Sequence, residues 1–140
     1  MTAALSTGPG STVLQPNEVV TAFRLPAPPA RTGSVYQRHT PRKIMDIAVV
    51  GVGIRLSLDG KGAIADARIC LGAVAPTVIR APRAEAALEG RAPEAATLEA
   101  AVRVALEEVH PISDVRASDW YRRELIHNML KRVLIHVCKL

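Results

Sequence analysis

Aromatic side chains are the scarcest material in this chain of 140 residues: one Trp, two Tyr and one Phe, or 3%. So little stacking surface argues against a nucleic-acid binder, and no DNA or RNA recognition motif is present. A core has to be built from Ala, Val, Leu and Ile within the 49% apolar share. That is enough for one domain. Two cysteines, Cys70 and Cys138, make no disulfide framework; both sit among apolar neighbours, so buried, reduced thiols are expected. No apolar run approaches a membrane span, since the run from Ile47 is interrupted at Gly51 and Gly53 and then meets Arg55. Residues 1–10 lack the basic start and apolar centre of a signal peptide, so the cytoplasm is the default location.

The net charge of +5 is unevenly spread. Arg31, Arg38, Arg42 and Lys43 form a cationic stretch with no acid in it, and a second basic excess runs from Arg116 to the end. Between Pro82 and Val109 acids dominate. A basic flank beside an acidic helical middle can attract a phosphate or an acidic protein surface, or can simply be solvated.

Periodicity gives the elements. Glu18–Leu25 alternates, with Val19, Thr21, Phe23 and Leu25 on one face, and predicts a half-buried strand. Pro26, Pro28 and Pro29 then impose an extended linker. Ser34–His39 predicts a short strand and Asp46–Asp59 a long one, buried along the whole of its even face and at the start of its odd face. Gly51 and Gly53 share the odd face, where a close-packed neighbour is expected. Asp59–Gly60–Lys61–Gly62 is a turn, and Ala63–Val74 returns as its hairpin partner. Helices are predicted from Pro82 to Glu89, along the Leu98–Val109 stripe, and after Ser118 as cap, with Tyr121, Leu125, Met129, Val133 and Val137 as the last stripe, widened by Ile126, Leu130 and Leu134. The fold class is α+β: an antiparallel sheet of three to four strands with three helices packed on one face.

Most candidate chemistry dissolves on inspection. Gly51–Val52–Gly53 lacks the third glycine of a dinucleotide loop, with Leu56 in its place, and lies inside a strand. Gly8–Pro9–Gly10–Ser11–Thr12 lacks the lysine of a phosphate loop. His127 and His136 are on opposite sides of a helix, and Cys138 adds only one ligand, so no metal set is legible. No nucleophile is paired with a base. Asp114 reads as an Asx turn or cap. Arg38, Arg42 and Lys43 remain: cations at a strand mouth can hold a phosphate or a ring carbonyl oxygen, and the alternative is a solvated cluster.

Residue order adds what composition does not. Leu25–Pro26–Ala27–Pro28–Pro29, Tyr36–Gln37–Arg38, Arg42–Lys43–Ile44–Met45–Asp46–Ile47–Ala48, Ala67–Arg68–Ile69–Cys70–Leu71–Gly72–Ala73–Val74–Ala75–Pro76–Thr77 with Arg80–Ala81, Ala84–Glu85–Ala86–Ala87–Leu88, and Pro111–Ile112–Ser113–Asp114–Val115–Arg116 with Tyr121–Arg122–Arg123 follow one another in order. Together they resemble the C-terminal domain of the FAD-binding (medium) subunit of molybdenum hydroxylases, the carbon monoxide dehydrogenase and xanthine dehydrogenase flavoprotein family.

The resemblance implies FAD as cofactor. It also implies three partners: an N-terminal FAD-binding half, an iron–sulfur subunit and a molybdenum subunit that oxidises substrate. It places Tyr36 beside the isoalloxazine ring, Asp46 and Ile47 at the ring end, and Arg42 or Lys43 as nearby positive charge, which favours a reduced, anionic flavin. The family's glycine-rich pyrophosphate loops are missing here. The chain is therefore expected to hold little FAD alone, to be no catalyst alone, and to act with a partner carrying the other half. On this reading residues 1–17 are a flexible remnant of the preceding FAD-binding domain and residues 18–140 the C-terminal α+β domain. The competing reading is a non-enzymatic interaction domain, or a truncated remnant without flavin binding.

Overall fold

The structure, a computed structural model, describes residues 5–43 and 45–139. Its elements in chain order are β1 (Ser6–Gly8), β2 (Ser11–Thr12), β3 (Thr32–His39), β4 (Val50–Leu58), β5 (Ile64–Gly72), β6 (Ile79–Arg80), α1 (Pro82–Leu88), α2 (Ala95–Glu107) and α3 (Asp119–Val137). β1 and β2 pair as a small hairpin; the other strands form an antiparallel sheet in the order β3-β4-β5-β6.

The inner face of the sheet follows from the alternation. Val50, Val52, Ile54, Leu56 and Leu58 are all buried, and in β5 Ile64, Ala67, Ile69 and Leu71 join them. Parity is kept by a bulge: Ser57 pairs with Asp66 and Leu58 with Ile64, so Ala65 is the extra residue. α3 lies across β3 and β4, α1 covers β5, and α2 packs on both helices. The α+β fold with three helices over the sheet is thus what the pattern predicted.

The helix ends are sealed from neighbouring elements. α1 has Ala81 at its N-cap and no cap of its own, so the Glu108 carboxylate beyond α2 accepts from Arg83 N–H (3.2 Å) and Ala84 N–H (3.1 Å). Gly90, at φ 76°, turns the chain after α1. Ser118 caps α3 as expected, accepting from Tyr121 N–H at 3.1 Å. Arg123 donates to the Leu106 and Val109 carbonyls at the C-terminal end of α2.

The free edge of β5 is closed by three different devices. β6 pairs only with Cys70 and Leu71. Below it, Glu85, 5% exposed, accepts from Ile69 N–H at 2.8 Å while holding Arg80, and Glu89 accepts from Ala67 N–H at 3.3 Å. Further on, Gly90 and Arg91 exchange backbone bonds with Ile64. Carboxylates here take the place of a strand.

Four expectations need correction. Glu18–Leu25 is not a strand: it runs as an irregular exposed segment, with Val19 78%, Phe23 64% and Leu25 89% exposed. The alternation is there, but no described sheet edge receives it. The long strand starts at Val50 rather than Asp46, because the Asp46 side chain binds local amides and bends the chain. The widened α3 stripe is buried at Ile126, Met129, Leu130, Val133, Leu134 and Val137, but at its start Tyr121 is 40% exposed and Arg122 is buried in its place. Both cysteines are free and half-buried rather than buried.

Candidate functional site

One end of the sheet gathers segments that are distant in sequence. β3 leaves there at His39, β4 enters at Val50, β5 leaves at Gly72, and α3 begins at Asp119. Val49 N–H bonds the His39 carbonyl at 2.8 Å, and His110 N–H reaches the Val74 carbonyl at 3.3 Å. His39 meets Tyr121 edge-on, with ring centroids 6.2 Å apart. The cationic stretch before β4 and the basic start of α3 are therefore brought to the same end.

The turn before β4 is organised by Asp46. Its Oδ2 accepts from the Arg42 backbone N–H (3.0 Å) and Arg42 Nε (3.2 Å), and its Oδ1 accepts from Ile47 N–H (2.9 Å). The Arg42 side chain, more than the backbone amides, holds the Asp46 carboxyl below its ordinary pKa. Arg42 also reaches the Met45 carbonyl at 3.4 Å, next to a Met45 φ of 36°. Arg42, Asp46 and Ile47 thus form one unit in which the arginine charge is already matched. Lys43 is exposed and makes no ion pair among the described residues.

Ile47, 60% exposed, rims a cleft of about 530 Å³. Ala48, Val74 and Pro76 line its apolar side; Asp114 and Arg122 line its polar side. Arg122 is the residue that sequence reasoning missed. Its guanidinium, 4% exposed, donates from Nη1 to the Val49 carbonyl (2.6 Å) and the Ala73 carbonyl (2.9 Å), and from Nη2 to Asp114 Oδ1 (2.9 Å). Asp114 does form the expected Asx turn, accepting from Arg116 and Ala117 N–H. Those amides, the Arg116 one first, together with Arg122 hold its carboxyl down at about 2. The signal for Arg122 was available: it stands one turn before Ile126 on the apolar stripe, with an acid eight residues upstream.

Tyr36 lies elsewhere, on the outer face of the sheet. It stands opposite Gly53 in the register, is 66% exposed, and reaches along β4 toward Gly51. A Cβ on Gly51 would lie 2.8 Å from its hydroxyl and 3.3 Å from Cε2; one on Gly53 would lie 3.6 Å from Cδ2. The neighbour that the two glycines accommodate is this ring, not another layer of structure. Arg38 stands outward opposite Gly51. The hollow that Tyr36 lines with Gly53 and Cys70 shares no residue with the cleft at Ile47. Among the described residues no three His, Cys, Asp or Glu side chains are grouped to hold a metal, and no helix is long and apolar enough to cross a membrane.

The family model described as "CO dehydrogenase flavoprotein C-terminal domain" matches residues 36–137, from the Tyr36 strand to the last turn of α3. The chain belongs to this family. The flavoprotein C-terminal domain seen here is 36% identical over 129 residues to a putative xanthine dehydrogenase FAD-binding subunit of Escherichia coli K12, a match covering 91% of this chain and 44% of that one. Reconstituted CO dehydrogenase from Oligotropha carboxidovorans superposes with a TM-score of 0.89 at 32% identity, over 98% of this chain and 47% of that chain. Quinoline 2-oxidoreductase from Pseudomonas putida 86 gives 0.87 at 29%, with the same coverage. The flavoprotein domain therefore spans less than half the length of the relatives it matches.

Proposed function

We propose that this chain forms one wall of the isoalloxazine site of a molybdenum hydroxylase-type flavin subunit. It takes part in electron transfer only when joined to the part that carries the rest of the FAD site, together with iron–sulfur and molybdenum subunits. The observation that carries the reading is the exposure, on a flavoprotein C-terminal domain, of two side chains suited to a planar ring: Ile47 at 60%, at the sheet end, and Tyr36 at 66%, on the outer face of the sheet. Both are anchored from behind, Tyr36 by the glycine track of β4 and Ile47 by its amide on Asp46.

The residues present fit such a ring. The Tyr36 face flanks it, and the branched Ile47 side chain packs beside it and excludes water. Arg42 keeps the Asp46 turn in shape, and its charge is neutralised there. The uncompensated Lys43 is the group that can place positive charge near the ring, where it favours the anionic reduced state. FAD, when bound, supplies an acceptor able to take two electrons and pass them on singly. In this reading residues 1–17 are the end of the preceding FAD-binding part.

The test is a fluorescence titration with FAD. The protein is mixed with a separately produced probe: the portion of the E. coli relative that precedes the stretch matched here. Together they should bind FAD at least about tenfold more tightly than either alone. Tyr36→Ala should remove most of that gain, and Lys43→Gln should shift the bound flavin's potential downward. Equal FAD affinity with and without this chain would sink the reading.

A further inference from the structure

The segment Glu18–Leu25 combines three properties that do not belong together in a finished surface. Its sequence alternates as a half-buried strand does, with Val19, Thr21, Phe23 and Leu25 on one side and Glu18, Val20, Ala22 and Arg24, small or charged except for Val20, on the other. Its apolar side is exposed, Leu25 to 89%. Its backbone is unspent: among the described residues Val19–Leu25 make no backbone hydrogen bond, and Glu18 N–H makes only a local one to Gln15. Pro16 and Pro26 bracket the segment, so it is confined to a strand's length, roughly 26 Å if extended.

What receives it is indicated by where it lies. The matched flavoprotein domain begins at Tyr36, yet the similarity to the E. coli subunit runs over 129 residues, more than residues 36–137 hold, and so takes in chain ahead of Tyr36. The segment is thus shared with longer proteins but stands outside the C-terminal domain. An alternating strand with an unpaired backbone is satisfied by one kind of surface: a sheet edge that supplies backbone partners on one side and an apolar face for every second side chain.

We propose that Glu18–Leu25 is a donor strand that completes a sheet of the FAD-binding part preceding this domain, with Val19, Phe23 and Leu25 entering that part's core and Glu18 and Arg24 facing water. The Pro26–Arg31 linker is then the joint between the two bodies. The inference rests on the reading that the chain works beside such a part, but not on flavin binding.

The experiment is hydrogen exchange without FAD, on the full chain alone and with the same E. coli N-terminal probe, free in solution and also fused ahead of this chain. Alone, the Val19–Leu25 amides should exchange as in an open chain. With the probe they should slow by about 100-fold or more. Thr21→Pro, which removes a ladder donor, and Phe23→Asp should each weaken association at least about tenfold. Neither should move the chain's own melting temperature, since no side chain of the segment belongs to the core cluster or to the partly buried groups packed on it.

Free exchange at residues 19–25 in both the mixture and the fusion would overturn the proposal. So would unaltered binding by Thr21→Pro, or protection in the chain alone with a rise in mass, which would make a second copy the partner. Gain of FAD affinity with residues 19–25 unprotected sinks the donor strand and leaves the flavin reading standing; protection with no gain of FAD affinity does the reverse.

Discussion

Arg122→Met removes the only charged side chain of α3 that is fully inside the fold and replaces it with an apolar one of similar length. In the native chain the guanidinium serves three acceptors at once: the carbonyls of Val49 and Ala73 and the carboxylate of Asp114. Methionine serves none. Each buried acceptor left unpaired costs about 1–3 kcal/mol, and the Asp114 carboxylate, a quarter exposed and still held by two amides, loses its guanidinium as well. These terms overlap, so a total near 4 kcal/mol is expected, a large part of the 5–15 kcal/mol that holds a typical domain. With a urea dependence of about 2 kcal/mol per molar, the unfolding midpoint should fall by about 2 M. Asp114→Asn is milder, because the amide oxygen can still accept from Arg116 and Ala117 N–H. The double variant should cost at least about 1 kcal/mol less than the sum. If Arg122→Met unfolds within 1 kcal/mol of the native chain, or the two changes simply add, the guanidinium is not the tie described.

Glu85→Ala should cost about 2–4 kcal/mol by urea unfolding, since it strips Ile69 N–H of its acceptor and Arg80 of its partner. Gly51→Ala puts a methyl where the Tyr36 hydroxyl lies, so the ring must swing off β4. Its NMR ring shifts should move while stability changes by about 1 kcal/mol or less, and the stability cost should vanish in a Tyr36→Ala background. Acid unfolding should reveal the depressed carboxyls. Asp114 is lowered from 3.8 to about 2, and Glu99 from 4.5 to about 2 by Lys131 and then His127. A folded value below the unfolded one contributes stability that is whole above the unfolded value and disappears as pH falls through the folded one. The urea midpoint should therefore drop between about pH 5 and pH 2, and Asp114→Asn should flatten that slope.

The sheet and helices were legible because their periods are simple. The even face of β4, the hairpin turn at Asp59–Gly62 and the Ser118 cap are local patterns with one structural outcome. What failed depended on partners far away in sequence. Asp46 looks like the first residue of a strand until its oxygens are seen on the amides of Arg42 and Ile47. Glu18–Leu25 looks like a strand because it is built as one, and pattern alone does not say whether a sheet is at hand. Arg122 sits on an apolar stripe, which a reading of hydrophobic spacing passes over, since its partners lie 73, 49 and 8 residues away. Of the candidate site residues, Arg42, Asp46 and Ile47 stand in one short block of the sequence, but the neutralisation of Arg42, which leaves Lys43 as the uncompensated cation, is a fact of geometry.

Ile47 is exposed, so its own side chain contributes little to fixing where it stands. Its position is set on either side by backbone bonds: its N–H is held by Asp46 Oδ1, and the carbonyl two residues on, at Val49, is held by Arg122. Arg122 in turn grips Ala73, whose φ of 61° is a conformation costing a non-glycine residue about 1–2 kcal/mol, and Asp114, whose loop forms the opposite side of the cleft. The three segments that border the cleft therefore share one buried cation. A change at residue 114 or 122, neither of which needs to touch a docked ring, alters the placement of Ile47 through that shared joint. Changes at Tyr36, seated on the glycine track of β4, act through a separate support. The two sides of the proposed wall are consequently tunable apart from each other: Arg122 and Asp114 govern one, Gly51 and Gly53 the other.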